Sequence, residues 1–315
     1  MSTADLEASI RRAVDVHLPG RTVITVRDRG VWERHIVEVM LDGDETVFFK
    51  IQTEDWNMTG FEAKGIRLFQ EHGLPTPGVL AVDASREIFP YPYLIEERRG
   101  GTRLGTLLEG ADGSEAERIY RALGSFFGRM HAIHHDRSEL MIPFEGSPAP
   151  GEYMYQAEIV GGSGKAALEA GRISQATYNR AVALWGANLV YLNDHRPTLI
   201  STSPFLWTIY LERDAQGWTV AKLSPMAELM WWDAAVNLAC LQYPPFGTVS
   251  SSRWVAFTST YGVTPERKRV LLYLVMQRIC AAMGIYKEPR TARTEAWAAH
   301  CLDNLDDIMD EIEAL

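Results

Sequence analysis

Four sets of residues in this chain have the types and spacing to do chemistry. His131, His134 and His135 stand in RMHAIHH, and the first and last of them share one helix face, a spacing that can hold a transition metal. The glutamate of a His-Glu-x-x-His motif is missing and no third ligand is evident, so packing at a helix end is the expected role and no metal is expected. Gly-Gly-Ser-Gly-Lys at 161–165 looks like the end of a phosphate-binding loop. Such a loop needs glycine at the place of Ile159 and a hydroxyl residue at the place of Ala166, so the tract reads as a flexible loop. Cys240, Cys280 and Cys301 are odd in number and lack CxxC spacing, which points to neither a disulfide framework nor a zinc site. A reducing, cytoplasmic setting follows. Lys50 closes the alternating segment TVFFKI, and Glu62 lies in the segment after it. Taken singly, a lysine at a strand end and a glutamate on a helix are ordinary surface residues.

The elements that must position these residues fall into two groups. Residues 21–51 alternate as strands do, through TVITV, HIVEVML, the turn Asp42-Gly43-Asp44 and TVFFKI. The segment EDWNMTGFEAKGIRLFQEHG follows, with Phe61, Gly65, Leu68 and Phe69 on one helical face and Gly73 and Pro75 marking its end. GVLAVD and YPYLIEE add two strands, completing a five-stranded lobe with one helix packed on it. ERRGGTRLG is a polar connector. Beyond it, helices are predicted at 115–135, 174–193, 229–242, 265–283 and 291–313, with β-like sequence only over 198–222. The expected division is therefore a β-rich N-terminal lobe over 1–98 and a helical C-terminal lobe over 99–315.

Composition narrows the function classes. A chain of 315 residues, 46% hydrophobic, can bury the core of two lobes. Its net charge of −10 argues against a nucleic-acid partner, because that binding rests on Lys and Arg neutralising phosphates. An acidic surface suits a cationic substrate, and it equally serves solubility alone. The opening MSTADLEASIRRAVDVHLPG mixes charges into every turn, and no stretch approaches the roughly 20 apolar residues of a transmembrane helix. Neither a signal peptide nor a membrane partner is expected.

Residues 198–212, TLISTSPFLWTIYLE, and 220–239, VAKLSPMAELMWWDAAVNLA, resemble in order and spacing the catalytic and metal-binding segments of the aminoglycoside phosphotransferase and choline kinase-like family. This is the small-molecule branch of the protein-kinase fold. The resemblance covers roughly residues 20–280 and includes ALGSFFGRMHAIHH, with Met130-His131 where the family's long helix ends in Leu-His. It implies an α+β, bilobal protein-kinase-like fold. It also implies that Lys50 is the strand lysine that meets nucleotide phosphates and that Glu62 is its ion-pair partner. In PYLIEERRGG, backbone groups around Ile95 and Glu96 would face an adenine ring, although a strand running into a turn predicts the same letters.

Where that family has His-Gly-Asp, then Asn five residues after the Asp, and later Ile-Asp-Trp/Phe, this chain lacks the acids. Ser203 stands for the base, and Thr208 and Ser224 stand for the two magnesium ligands. Hydroxyls are poor bases and weak neutral ligands, whereas magnesium favours carboxylates and phosphate oxygens. The nearest spare carboxylates, Glu228 and Asp233, lie beyond the metal-binding position, and Asn237 replaces a further family Asp. No other HxD…N pattern exists, since Asp194-His195 reverses the order. The leading expectation is a pseudokinase that holds a partner protein, a peptide or a small ligand in the interlobe cleft, with no cofactor or a weakly bound nucleotide and without magnesium. Two alternatives stay open. One is a biosynthetic enzyme running another reaction in a water-excluding cleft walled by Phe205, Trp207, Trp231 and Trp232, residues that buried core explains as well. The other is an active small-molecule or peptide kinase with unconventional metal ligands.

Overall fold

The computed structural model describes residues 3–30, 34–52, 58–98, 100–140, 154–201, 208–224, 229–242, 249–284 and 292–315. In chain order the first elements are α1 (Thr3–His17), β1 (Val23–Asp28), β2 (Arg34–Leu41), β3 (Thr46–Gln52), α2 (Met58–Glu71), β4 (Val79–Asp83), β5 (Tyr93–Glu97) and β6 (Thr102–Arg103). After them come α3 (Leu104–Gly110), α4 (Gly113–His131), β7 (Glu139–Leu140), a π-helical stretch at Tyr155–Val160, α5 (Ser163–Glu169), α6 (Gln175–Asn193) and β8 (Thr198–Ser201). The rest comprises β9 (Ile209–Asp214), β10 (Gly217–Leu223), β11 (Leu229–Trp232), α7 (Ala235–Gln242), α8 (Ser251–Tyr261), α9 (Arg267–Gly284), α10 (Ala292–Leu302) and α11 (Leu305–Ala314). The fold is mixed α+β. Among the described residues no helix is long and apolar enough to cross a membrane.

The chain divides into two compact units. The first holds Met1–Arg103, Ile209–Gln216 and Val220–Glu228, and the second holds Leu104–Thr208, Gly217–Thr219 and Leu229–Leu315. This differs from a single break after residue 98. The β9 segment goes with the first unit because it pairs antiparallel with β6, Thr102 opposite Leu211 and Arg103 opposite Tyr210.

In the first unit the five strands run β1-β2-β3-β5-β4, all antiparallel. The β2–β3 turn uses Gly43 (φ 73°) and Asp44 (φ 61°), the backbone region that glycine and aspartate tolerate best. Period-two alternation gives the sheet two faces. Val37, Val39, Phe49 and Ile51 form one core with Leu6, Ile10, Ala13 and Val14 of α1. Phe48, Lys50 and Gln52 alternate with these on β3 and point the other way. The α1 helix was not anticipated, although its buried residues recur at helical spacing.

In the second unit, α4, α6 and α9 match the predicted helices at 115–135, 174–193 and 265–283. Three expectations fail. Residues 229–232 form a strand, not the start of a helix, because Leu229–Trp232 pair antiparallel with Thr198–Ser201. The predicted helix at 291–313 is two helices, broken before Leu305. The glycine tract is a loop only at Gly161 and Gly162, since Ser163–Glu169 is helical. There a Cβ on Gly164 would lie 2.0 Å from the Ile159 carbonyl oxygen, so glycine serves close packing. Two more glycines set the site's frame: on α4, Gly124 and Gly128 would place a Cβ 2.1 Å from the Phe257 carbonyl and 2.7 Å from that of Tyr261. Their absent side chains let α8 approach α4 backbone to backbone.

Candidate functional site

The first unit brings Lys50 and Glu62 together. Glu62 lies on the face of α2 that buries Thr59, Ala63, Ile66 and Phe69, where an ionised carboxylate requires a partner. The Lys50 ammonium supplies it, 2.5 Å from Glu62 Oε1. A second carboxylate reaches the same nitrogen, Glu96 Oε2 at 2.9 Å. All three residues are buried. Burial works against charge on Lys50, but Coulomb attraction to Glu62 and Glu96 and the hydrogen bonds it donates to them outweigh it and raise its pKa.

Ile95 and Glu96 do not sit at the rim of the sheet. Glu96 pairs with Phe48 on one side and Val79 on the other, and Ile95 with Phe49 and Ala81. A strand lies on both sides of these residues, and the β4–β5 register shifts between Val79 and Ala81, opposite them. What Glu96 contributes is its side chain, directed at Lys50.

In the second unit a neutral network surrounds His131. Its Nδ1 is 2.8 Å from the Tyr261 hydroxyl and its Nε2 is 3.1 Å from Asn237 Oδ1. Asn237 Oδ1 also accepts from the Ser201 N–H at 3.2 Å, and its Nδ2 donates to the Ser201 carbonyl. These partners assign the tautomer: Nε2–H donates to Asn237 and Nδ1 accepts from Tyr261. Burial pushes His131 down to about 4, against the hydrogen bond it donates to Asn237, so it is neutral near pH 7. Burial, reinforced by the charge of Asp233, raises the Tyr261 hydroxyl and keeps it a donor. The histidines do not converge on a metal site. His135 stacks on Trp231 with ring centroids 5.0 Å apart, and His134 bridges Thr198. Among the described residues no group of three or more His, Cys, Asp or Glu could hold a metal ion.

Of the three positions where the resemblance implies the base and the two metal ligands, Thr208 is buried just before β9 and Ser224 is half-buried just after β10. Ser203 lies outside the described residues, as do Phe205, Trp207 and Glu228. Asp233, the spare carboxylate that is described, has other work. Its Oδ1 accepts from the Ala235 N–H at 2.9 Å at the start of α7, and its Oδ2 accepts from Arg269 Nη1 at 3.0 Å. Arg269 also donates to the carbonyls of Leu192 and Asp194. Trp231 and Trp232 are buried in the short sheet β7-β11-β8. Sequence reasoning missed the Glu96 carboxylate, Tyr261 and Arg269 as members of these networks.

A sequence profile described as the phosphotransferase enzyme family matches residues 42–249, about two thirds of the chain. No curated protein matches. Solved structures share the fold. The streptomycin–ATP complex of APH(2″)-IIa superposes with a TM-score of 0.66 at 12% identity, covering 99% of both chains. A candidate fructosamine-3-kinase from Thermobifida fusca gives 0.65 at 16% identity, covering 96% of this chain and 99% of its own. A thermostable mutant of APH(4)-Ia with AMP-PNP and hygromycin B gives 0.64 at 13% identity, covering 96% of this chain and 98% of its own. The profile spans β3 with Lys50, α2 with Glu62 and the helix that carries Asn237, so the chain belongs to the aminoglycoside phosphotransferase-type phosphotransferase enzyme family.

Proposed function

We propose that this chain is a family member that has given up phosphate transfer and serves as a binding scaffold for a small ligand, a peptide or a partner protein. The observation that carries the reading is the Lys50 ammonium, buried between Glu62 and Glu96. Glu62 is the partner that the family pattern gives this lysine, but Glu96 is a second carboxylate on it, so two of its three N–H donors are engaged and its single charge is more than balanced, which weakens its hold on nucleotide phosphates. The donor set points the same way. Thr208 and Ser224 would offer magnesium neutral hydroxyls in place of an amide oxygen and a carboxylate, and both oxygens of Asp233 are engaged elsewhere, so the described residues do not fit the ion. Neutral Asn237 holds the backbone at Ser201, which keeps the segment's shape without an acid.

The test is transfer or hydrolysis of the γ-phosphate of ATP and GTP with magnesium. No turnover above background is expected, and turnover that disappears in Lys50→Ala would overturn the reading. Nucleotide affinity is expected to be weak and indifferent to magnesium. A nucleotide at about a hundred times its dissociation constant stabilises by roughly 2.7 kcal/mol, so a melting shift of several degrees in millimolar ATP, larger with magnesium, would contradict it.

A further inference from the structure

Lys222, on β10, is a cation of the first unit that stands outside the Lys50 ion-pair cluster. Its Nζ lies 4.6 Å from the centroid of the Tyr210 ring and 5.7 Å from that of Phe48. Arg103 approaches the same tyrosine, with Cζ 5.8 Å from the ring centroid and Nε donating to the Tyr210 hydroxyl at 3.1 Å. Two cations thus share one ring, and among the described residues neither has a carboxylate within ion-pair distance. The carboxylates closest in charge, Glu62 and Glu96, are both held by Lys50. Aromatic faces fix an ammonium without neutralising it. Lys222 also stands two residues before Ser224, where the resemblance implies a metal-binding carboxylate. One magnesium on one carboxylate carries a net charge of +1, and a single ammonium carries the same.

We propose that Lys222, with Arg103 beside it on Tyr210, forms a metal-independent binding site for a small anion, a phosphate- or carboxylate-bearing ligand. The ammonium takes over the charge role of the missing metal, and the rings of Phe48 and Tyr210 hold it in place in advance. The site deepens the binding-scaffold reading by naming the charge of the ligand.

Titration calorimetry of the full chain with inorganic pyrophosphate and with citrate, each in EDTA and in magnesium, tests it. At least one of the two anions should bind in EDTA, and which one does separates a phosphate from a carboxylate ligand. Affinity should fall about tenfold or more in Lys222→Met and return in Lys222→Arg, as for a hydrogen bond to a charged group. Arg103→Gln, at an exposed side chain, should weaken binding by a smaller factor and gives a reading independent of packing at Lys222. Failure of both anions to bind, binding that requires magnesium, or equal affinity in Lys222→Met would each overturn the site. Turnover of γ-phosphate would sink the non-transfer reading and leave this result standing.

Discussion

The two networks solve the same problem in opposite ways. Around Lys50 the first unit keeps full charges and buries them, with two carboxylates on one ammonium. Around His131 the second unit keeps geometry and removes charge: a neutral imidazole, a phenol and an amide satisfy one another and hold both backbone groups of Ser201. A buried ionic cluster is costly to break by halves, whereas a neutral network tolerates burial at any pH that leaves it neutral. Either network holds only while each polar group in it keeps a partner.

The largest expected effect comes from splitting the ionic cluster. Lys50→Met leaves Glu62 and Glu96 facing each other without a cation, and removal of one partner from a buried ion pair costs on the order of 3–5 kcal/mol. Denaturant unfolding of Lys50→Met, Glu62→Gln and the double variant should show strong coupling, with the double variant losing less than the sum. Additive losses under 1 kcal/mol would mean that the cluster is not one unit, and the contrast with the His131 network would fall.

The neutral network predicts a pH dependence instead. His131 is held down to about 4 in the folded chain, against an ordinary value of about 6.5. A depressed histidine contributes stability that is fully present above the unfolded value. As pH falls below about 6.5 the unfolded chain takes up the proton first, and stability is lost progressively down to about pH 4, by up to about 3 kcal/mol. His131→Gln should flatten stability over that window when unfolding is measured at stepped pH. An unchanged slope would assign the acid sensitivity elsewhere.

Restoring the acid that the resemblance implies sharpens the comparison further. Asn237→Asp deletes the donor to the Ser201 carbonyl and places a charge beside a neutral imidazole, a loss of roughly 1–3 kcal/mol near pH 7. The new carboxylate should raise the pKa of His131, so the acid-side loss shrinks or reverses in this variant. NMR titration of the ring would report it.

Much of the frame was legible because the signals were local. Alternation placed the first three strands of the sheet, with Asp42-Gly43-Asp44 marking a turn between them, and GVLAVD and YPYLIEE were read as the other two. α6 starts where Ser174 caps it, its hydroxyl accepting from the Thr177 N–H at 3.0 Å. The failures were non-local. MWW at 230–232 reads as part of a helix, and becomes a strand only because β8 is there to pair with it. Lys50 and Glu62 were legible as a pair from the family pattern. Glu96 was not, because it lies 46 residues from Lys50 and arrives through the β3–β5 pairing. Lys222 carries no sequence signal at all, since the rings that hold it come from β3 and β9.

The smallest expected effect is a control on burial itself. Arg21 and Glu45, also in the first unit, form an ion pair at 2.7 Å, with side chains 50% and 38% exposed. Its distance lies close to that of the Lys50–Glu62 contact, so geometry alone would rank the two alike. Solvent decides otherwise. Water screens the exposed charges and solvates whichever partner is left behind, so Arg21→Ala should cost no more than about 0.5 kcal/mol, and less still in 1 M salt. Unfolding of Arg21→Ala beside Lys50→Met, at low and high salt, separates the cases: the exposed pair should lose its small contribution to salt while the buried cluster keeps most of its own. Similar losses at both sites would show that burial is not what makes the Lys50 cluster matter, and the proposed commitment of Lys50 to Glu62 and Glu96 would lose its physical basis.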